Sequence, residues 1–235
     1  MADSLNLLNL RKILIVAAHP DDEVLGCGGT IAKLSPGNSI NIVILGEGAT
    51  SRSDQRSEAD TSSVTGLQAD AEKANAVMGA AKVIFEGLPD NRFDELPLLD
   101  VVKRVEKLIQ NFSPEIIYTH HPGDLNIDHQ ITFRAVLTAT RPMADCPVKE
   151  IYSFEIPSSS EWAFQRTGPV FQPNVFEDIS STIEQKILAM ECYSTEIRPF
   201  PHPRSAEALR SIGKRWGSVI GVESAEAFEL IRSVR

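Results

Sequence analysis

Lys12-Ile-Leu-Ile-Val-Ala-Ala-His19-Pro-Asp-Asp-Glu23 is the stretch whose reading decides the fold. Ile13 to Ala18 are all apolar, with no polar residue between them. A strand with one wet face alternates, whereas a strand buried on both faces of a parallel sheet reads as a continuous apolar run. The run ends on one imidazole and three acids. The carboxyl ends of strands in open α/β sheets are where ligands bind.

The pattern repeats outward from this point. Gly26-Cys-Gly-Gly29 leads into a first helix over residues 30–34, and residues 39–45 form a second apolar strand. Residues 46–66, rich in Gly, Ser, Thr, Asp and Arg, read as a long loop of functional interest. A helix over 67–79 stops at Gly79, and strands follow at 82–85, 115–119 and 150–156. Between them lie helices at 97–111, with Leu98, Val101, Val102, Val105, Leu108 and Ile109 on one stripe, and at 127–140. Residues 157–178 read as a loop or small hairpin, followed by helices at 180–192 and 205–213 and a last one within 223–233. Alternating strands and helices predict an α/β fold, a three-layer sandwich with a mostly parallel, doubly wound sheet. No linker or repeat interrupts the pattern, so residues 1–235 are expected to form a single domain.

Composition excludes several classes. With 42% hydrophobic and 23% charged residues the chain is an ordinary globular one. No apolar run approaches the roughly 18 residues of a membrane span. The opening lacks a basic leader with an apolar core, which predicts a cytoplasmic protein without stable membrane insertion. A net charge of −9 argues against a nucleic-acid partner. The three cysteines, Cys27, Cys146 and Cys192, are far apart and form no thiolate metal pair.

Two clusters carry chemistry. In His19-Pro-Asp-Asp-Glu23 the carboxylates repel one another unless solvated or neutralised. A divalent metal on His19 and one carboxylate removes the conflict and leaves the neighbouring carboxylate facing water at the metal. The plainer reading is a solvated turn that caps the next helix. In Thr119-His-His-Pro-Gly-Asp-Leu-Asn-Ile-Asp-His-Gln130, His129 offers a third ligand early on a helix, while Asp124 or Asn126 is suited to cap it. Gly26-Cys-Gly-Gly29 departs from G-x-G-x-x-G, and the acids before it would repel a pyrophosphate; close helix packing explains these glycines better. Three segments are candidates for a substrate rim: residues 47–56, Asp90-Asn91-Arg92, and 199–205 with His202 and Arg204.

These residues resemble the PIG-L/LmbE-like N-deacetylases. Ala18-His-Pro-Asp-Asp-Glu23 followed by Gly26 is similar to that family's first signature, and Asn126-Ile-Asp-His129 to its second. The likeness continues through Gly87-Leu-Pro-Asp-Asn-Arg92 and the closing segment 215–228. The resemblance implies a Rossmann-like sheet and a Zn2+ site (Fe2+ being the other candidate) on His19, Asp22 and His129. It implies Asp21 as general base and Asp128 as the partner that orients a histidine. Some members carry a histidine where Asn126 stands here; the acid role then passes to His121 or His202. The arginine common at the start of the second helix is replaced by Leu67-Gln68, which leaves Arg52 or Arg56 for that sugar contact. The activity implied is removal of an acetyl group from the amide nitrogen of an N-acetylglucosamine-type sugar or conjugate, by an enzyme with the option of a homo-oligomer. The rivals are a zinc amidase acting on a non-sugar or thiol-conjugate amide and a non-catalytic nucleotide-binding module.

Overall fold

The computed structural model describes residues 10–52, 61–166 and 168–235. Its strands are β1 (Lys12–Ala17), β2 (Ser39–Gly46), β3 (Lys82–Leu88), β4 (Ile116–His120), β5 (Glu150–Phe154), β6 (Val175–Asp178) and β7 (Ala225–Ser233). Its helices are α1 (Asp22–Leu34), α2 (Thr61–Met78), α3 (Leu98–Phe112), α4 (Ile127–Ala139), α5 (Ile183–Cys192) and α6 (Ala206–Ile220). The seven strands form one sheet in the order β3-β2-β1-β4-β5-β7-β6. The first five run parallel, and β7 lies antiparallel between β5 and β6.

β1 shows why its apolar run is unbroken. Ile13, Ile15 and Ala17 pack into a core with Ala71 and Ala74 of α2 and Ile187 of α5. Leu14 and Val16 face the other way, into a core with Val101 and Val105 of α3 and Ala135 of α4. Each fully buried Val, Leu or Ile is worth about 1.5–3 kcal/mol, so every position of this strand favours burial on both faces. The end of β1 is thereby held rigidly between β2 and β4.

Two expectations are corrected. The first helix starts at Asp22, directly after the strand, and not at residue 30. Its glycines do not delay it; the helix bends at Cys27 (φ −149°, ψ 25°). At the bend the Glu226 carboxylate accepts the backbone N–H groups of Gly29 (3.0 Å) and Thr30 (2.7 Å), as an acid caps a new helix start. Lys186 Nζ donates to Glu226 (2.6 Å) and to the Leu25 carbonyl (2.9 Å), completing a buried ion pair at the bend. A side chain on Gly29 would fall 2.8 Å from Ile179, so the bend also needs a residue without Cβ.

The second correction is β7, where a last helix was expected within 223–233. Glu, Ala and Leu favour helices locally, but pairing on both edges and burial decide between strand and helix. Phe228 packs against Tyr118 and Tyr152 on the α1 side, while Ile231 belongs to the opposite core. Smaller differences lie at boundaries: α2 begins at Thr61, inside the expected loop, α6 runs on to Ile220, and β6 falls within the segment read as a loop or small hairpin. No helix among the described residues is long and apolar enough to cross a membrane.

Candidate active site

The ends of β1 and β4 and the starts of α1 and α4 converge on one cluster. Asp22 Oδ2 stands at its centre, 3.5 Å from His19 Nδ1, 3.3 Å from His129 Nε2 and 3.4 Å from His120 Nε2. It also accepts the His19 backbone N–H at 2.8 Å. The outer nitrogens of two imidazoles are held by further carboxylates. His19 Nε2 lies 2.9 Å from Asp128 Oδ2, and His129 Nδ1 lies 3.0 Å from Asp124 Oδ1. Each ring therefore presents its remaining nitrogen toward Asp22.

The supporting carboxylates are themselves fixed. Asp128 accepts the backbone N–H groups of Asn91 (2.7 Å) and Phe93 (2.9 Å). Asp124 accepts from the Asn126 N–H and from the Ser159 and Ser160 hydroxyls. Asn126 caps α4 by accepting the Asp128 N–H at 2.8 Å and donates to Asn91 Oδ1 at 2.8 Å. His120 accepts the Ala18 N–H on Nε2 (2.8 Å) and stacks on His129 with centroids 4.0 Å apart.

Burial and charge set the protonation. Burial acts against the ionised Asp22, but His129 and His120 outweigh it and hold its carboxyl well below the usual range. Burial lowers the His129 pKa, yet Asp22 and Asp124 raise it to about 9 overall. Burial and the neighbouring His129 push His120 down to about 3, so that ring is neutral. Asp124 is held at about 2, with hydrogen bonds from His129, Ser159 and Ser160 overcoming its burial.

Asp21 sits beside this cluster with a left-handed backbone (φ 103°), a conformation few non-glycine residues adopt outside Asn and Asp. Its N–H is accepted by Glu23 Oε2 at 3.2 Å, and Glu23 in turn takes the Tyr193 hydroxyl. Arg204 Nη1 donates to Asp21 Oδ2 at 2.7 Å while Arg204 Nε donates to Ser158 Oγ at 2.7 Å. Burial raises the Asp21 carboxyl well above its ordinary value, against the opposing pull of Arg204.

A cavity of about 570 Å³ opens over these groups. His19, Asp21, Asp22, Asn126 and His129 line it, together with Asp90, Asn91 and Arg204 from the expected rim. Asp90 accepts the Ser51 N–H (3.1 Å) and hydroxyl (2.6 Å), tying the loop after β2 to the loop after β3. Arg92 and His202 stand elsewhere. Arg92 pairs with Glu95 at 3.1 Å and does not line the cavity. His202 accepts the Arg204 N–H on Nδ1 and sets its ring against Trp162, outside the lining. Arg52 ends the turn Thr50–Arg52, and Arg56 lies outside the described residues.

His121 is the clearest misplacement, because both of its nitrogens are committed away from the cavity. Nδ1 lies 2.9 Å from Glu229 Oε2 and Nε2 lies 2.8 Å from the Pro169 carbonyl. Burial lowers its pKa, but these two bonds outweigh burial and hold it above the ordinary value. Burial raises Glu229, whose bonds from His121 and Gln172 bring it below the ordinary value. The histidine's stabilisation is full below its unfolded pKa of about 6.5 and is lost as pH rises through the raised folded value. Glu229's is full above about 4.5 and is lost as pH falls. A His121→Gln variant is therefore expected to lose more Tm against the parent near pH 6 than near pH 10. Equal losses at both pH values would show that the ion pair carries no stability.

Sequence reading did not single out Asp124 beyond a helix cap, nor His120, Glu23 or Tyr193. Only the placement of His120 and Asp124 on either side of the β4–α4 turn carried a signal for them.

Comparison with known proteins follows the same residues. An uncharacterized deacetylase of Escherichia coli strain K12, YaiS, is 30% identical over 182 residues, covering 74% of this chain and 86% of that protein. The solved structure of N,N'-diacetylchitobiose deacetylase from Pyrococcus horikoshii aligns with a TM-score of 0.74 at 22% identity, over 95% of this chain and 85% of that one. GalB, the 4-carboxy-2-hydroxymuconate hydratase of Pseudomonas putida KT2440, aligns with a TM-score of 0.73 at 20% identity, over 96% and 98% of the two chains. A hydratase and a deacetylase thus share the fold, and the fold does not choose the reaction. Residues 14–140, which hold every member of the Asp22 cluster, match the PIG-L family of GlcNAc-PI de-N-acetylases, and with just over half of its length matched the chain belongs to that family.

Proposed function

We propose that this protein is a metal-dependent hydrolase that removes the acetyl group from the amide nitrogen of an N-acetylglucosamine-type sugar or conjugate. The observation that carries the proposal is the convergence of His19, Asp22 and His129 within 4.8 Å of one another, with Asp21 beside them at the cavity floor. The strand order and the two helical layers support a Rossmann-like, doubly wound description, in which such sites lie beyond the strand ends.

The donor set fits a divalent cation. Three imidazoles gather on one buried carboxylate, and two of them have their outer nitrogens anchored on Asp124 and Asp128. Buried acids here draw protons onto His129 that a cation would replace. His19, Asp90 and Asp128 form a second group of possible ligands. It fits less well, because Asp128 and Asp90 are already occupied by backbone and hydroxyl donors. Two histidines and one carboxylate suit Zn2+, with Fe2+ the alternative. When bound there, the metal supplies Lewis acidity toward an amide carbonyl and a lowered pKa for water.

The remaining work falls to the chain. Asp21 accepts the proton of the attacking water and returns it to the departing amine. Its raised pKa suits both halves of that transfer, since a stronger base is also a usable acid once protonated. Arg204 holds the Asp21 carboxylate in place and presents positive charge at the cavity. Asn126 has no titratable proton, so it orients and donates but does not serve as an acid. Asp90, Asn91 and Asn126 offer the hydrogen bonds that sugar hydroxyls require.

Metal content by elemental analysis, on protein purified without added metal or chelator, paired with acetate release from N-acetylglucosamine derivatives, tests the proposal. About one zinc or iron per chain with acetate release is expected. Metal without acetate release points to the amidase on a non-sugar or thiol-conjugate amide, and no metal even after reconstitution overturns the hydrolase reading. An Asp124→Asn variant is expected to bind Zn2+ about 10–100-fold more weakly, as loss of a carboxylate behind a ligating histidine does. Competition with a fluorescent chelator measures this, and unchanged affinity would separate Asp124 from the metal.

A further inference from the structure

A second cavity of about 770 Å³ lies behind the rim of the first. The two share a wall. Ser158, Ser159 and Arg204 line the first cavity, and their chain neighbours Pro157, Ser160 and Pro203 line the second. The bond from Arg204 Nε to Ser158 Oγ pins the two segments of that wall together.

The linings differ in kind. The first is dominated by carboxylates, imidazoles and amides; the second is built on Phe164, Phe171, Phe200 and Trp216. Phe164 is 73% exposed and Phe200 is 58% exposed. Large apolar side chains left open side by side mark a binding surface more often than chance exposure does. The charged groups of this second lining are already engaged. Glu155 accepts the Trp216 indole N–H at 2.7 Å, and Glu161 accepts the Ser158 N–H at 2.7 Å. The Arg215 guanidinium lies 4.0 Å over the Trp216 ring. Two carboxylates against one guanidinium disfavour an anion, and what remains open is aromatic.

We propose that this second cavity binds an uncharged apolar aglycone, aryl or alkyl, on the sugar whose N-acetyl group reaches the first cavity. The proposal rests on the deacetylase reading and adds to it the class of substrate. A ligand polar at one end and apolar at the other matches two cavities of opposite character on either side of one wall. Trp216 and Phe171, edge-on with centroids 6.4 Å apart, both line the second cavity.

The test uses the full chain with its metal. Acetate release is compared for methyl, phenyl and hexyl N-acetyl-β-glucosaminides, with the phenyl and hexyl arms separating aryl from alkyl recognition. KM for at least one of them is expected to fall roughly tenfold below that of the methyl glycoside, the scale of selectivity an apolar pocket gives. Ala208→Trp, which fills the cavity from α6, is expected to remove that gain and leave the methyl glycoside unchanged. Ile212→Trp serves as the second filling variant, with thermal melting as the control for folding. Equal KM values across the three glycosides, or a preference that survives both filled variants, would overturn the inference. If no glycoside releases acetate, the deacetylase reading fails by itself. Calorimetric titration with the phenyl glycoside then still decides the cavity: binding lost in Ala208→Trp sustains it, and no binding to the parent protein overturns it. A change of oligomeric mass in the filled variants would mark this face as an interface between copies and overturn it as well.

Discussion

An Asp21→Asn variant is expected to turn over a hundred to ten thousand times more slowly than the parent while keeping its metal, about what a positioned general base contributes. The substitution is nearly isosteric. Asn tolerates the left-handed backbone at this position, and its side-chain oxygen still accepts from Arg204. What it lacks is a site that takes up a proton. Single-turnover acetate release and elemental analysis on one preparation check both halves of the prediction. Normal turnover would remove Asp21 from the mechanism, and loss of metal would make it a ligand.

The second large effect falls on stability. A Lys186→Met variant is expected to lose about 3–5 kcal/mol, because it leaves the Glu226 carboxylate buried without its counter-ion. In a chain of this size that lowers Tm by about 10 °C. The double variant Lys186→Met/Glu226→Gln is expected to recover much of the loss, since it removes the charge along with its partner. Thermal melts of the three proteins decide the matter. A single variant as stable as the parent would show that the pair is not coupled to folding.

The sequence exposed what is local and hid what is assembled. The strand from Ile13 was legible because burial on both faces leaves no polar position in the run. His19 and His129 stood out because each lies within a few residues of a strand end or helix start, whereas Asp22 among the three neighbouring acids was singled out only by the family resemblance. Asp124 looked like a cap because its bond to His129 depends on how the turn after β4 folds back. His121, next to His120 in the chain, gave no sign that its ring points to Glu229 and Pro169 instead of the cavity. Arg204 was placed at the rim, but nothing in its neighbourhood showed that it pairs with Asp21, 183 residues away. β7 was the one wrong element type. Ala225-Glu-Ala-Phe-Glu-Leu-Ile has good helix formers, and the two neighbouring strands that overrule them come from distant parts of the chain.

The carboxylate at the bend of α1 also bears on how the molecule comes into being. Glu226 reaches back 197 residues to Gly29, next to the helix start that carries Asp22. A growing chain therefore exposes the His19–Glu23 motif long before the group that steadies its helix. Until β7 leaves the ribosome and inserts between β5 and β6, the bend has two uncapped N–H groups and Lys186 has no counter-ion. The cluster around Asp22 is thus steadied only once β7 is in place, and nascent chains stopped short of β7 are expected to hold an unsteady α1.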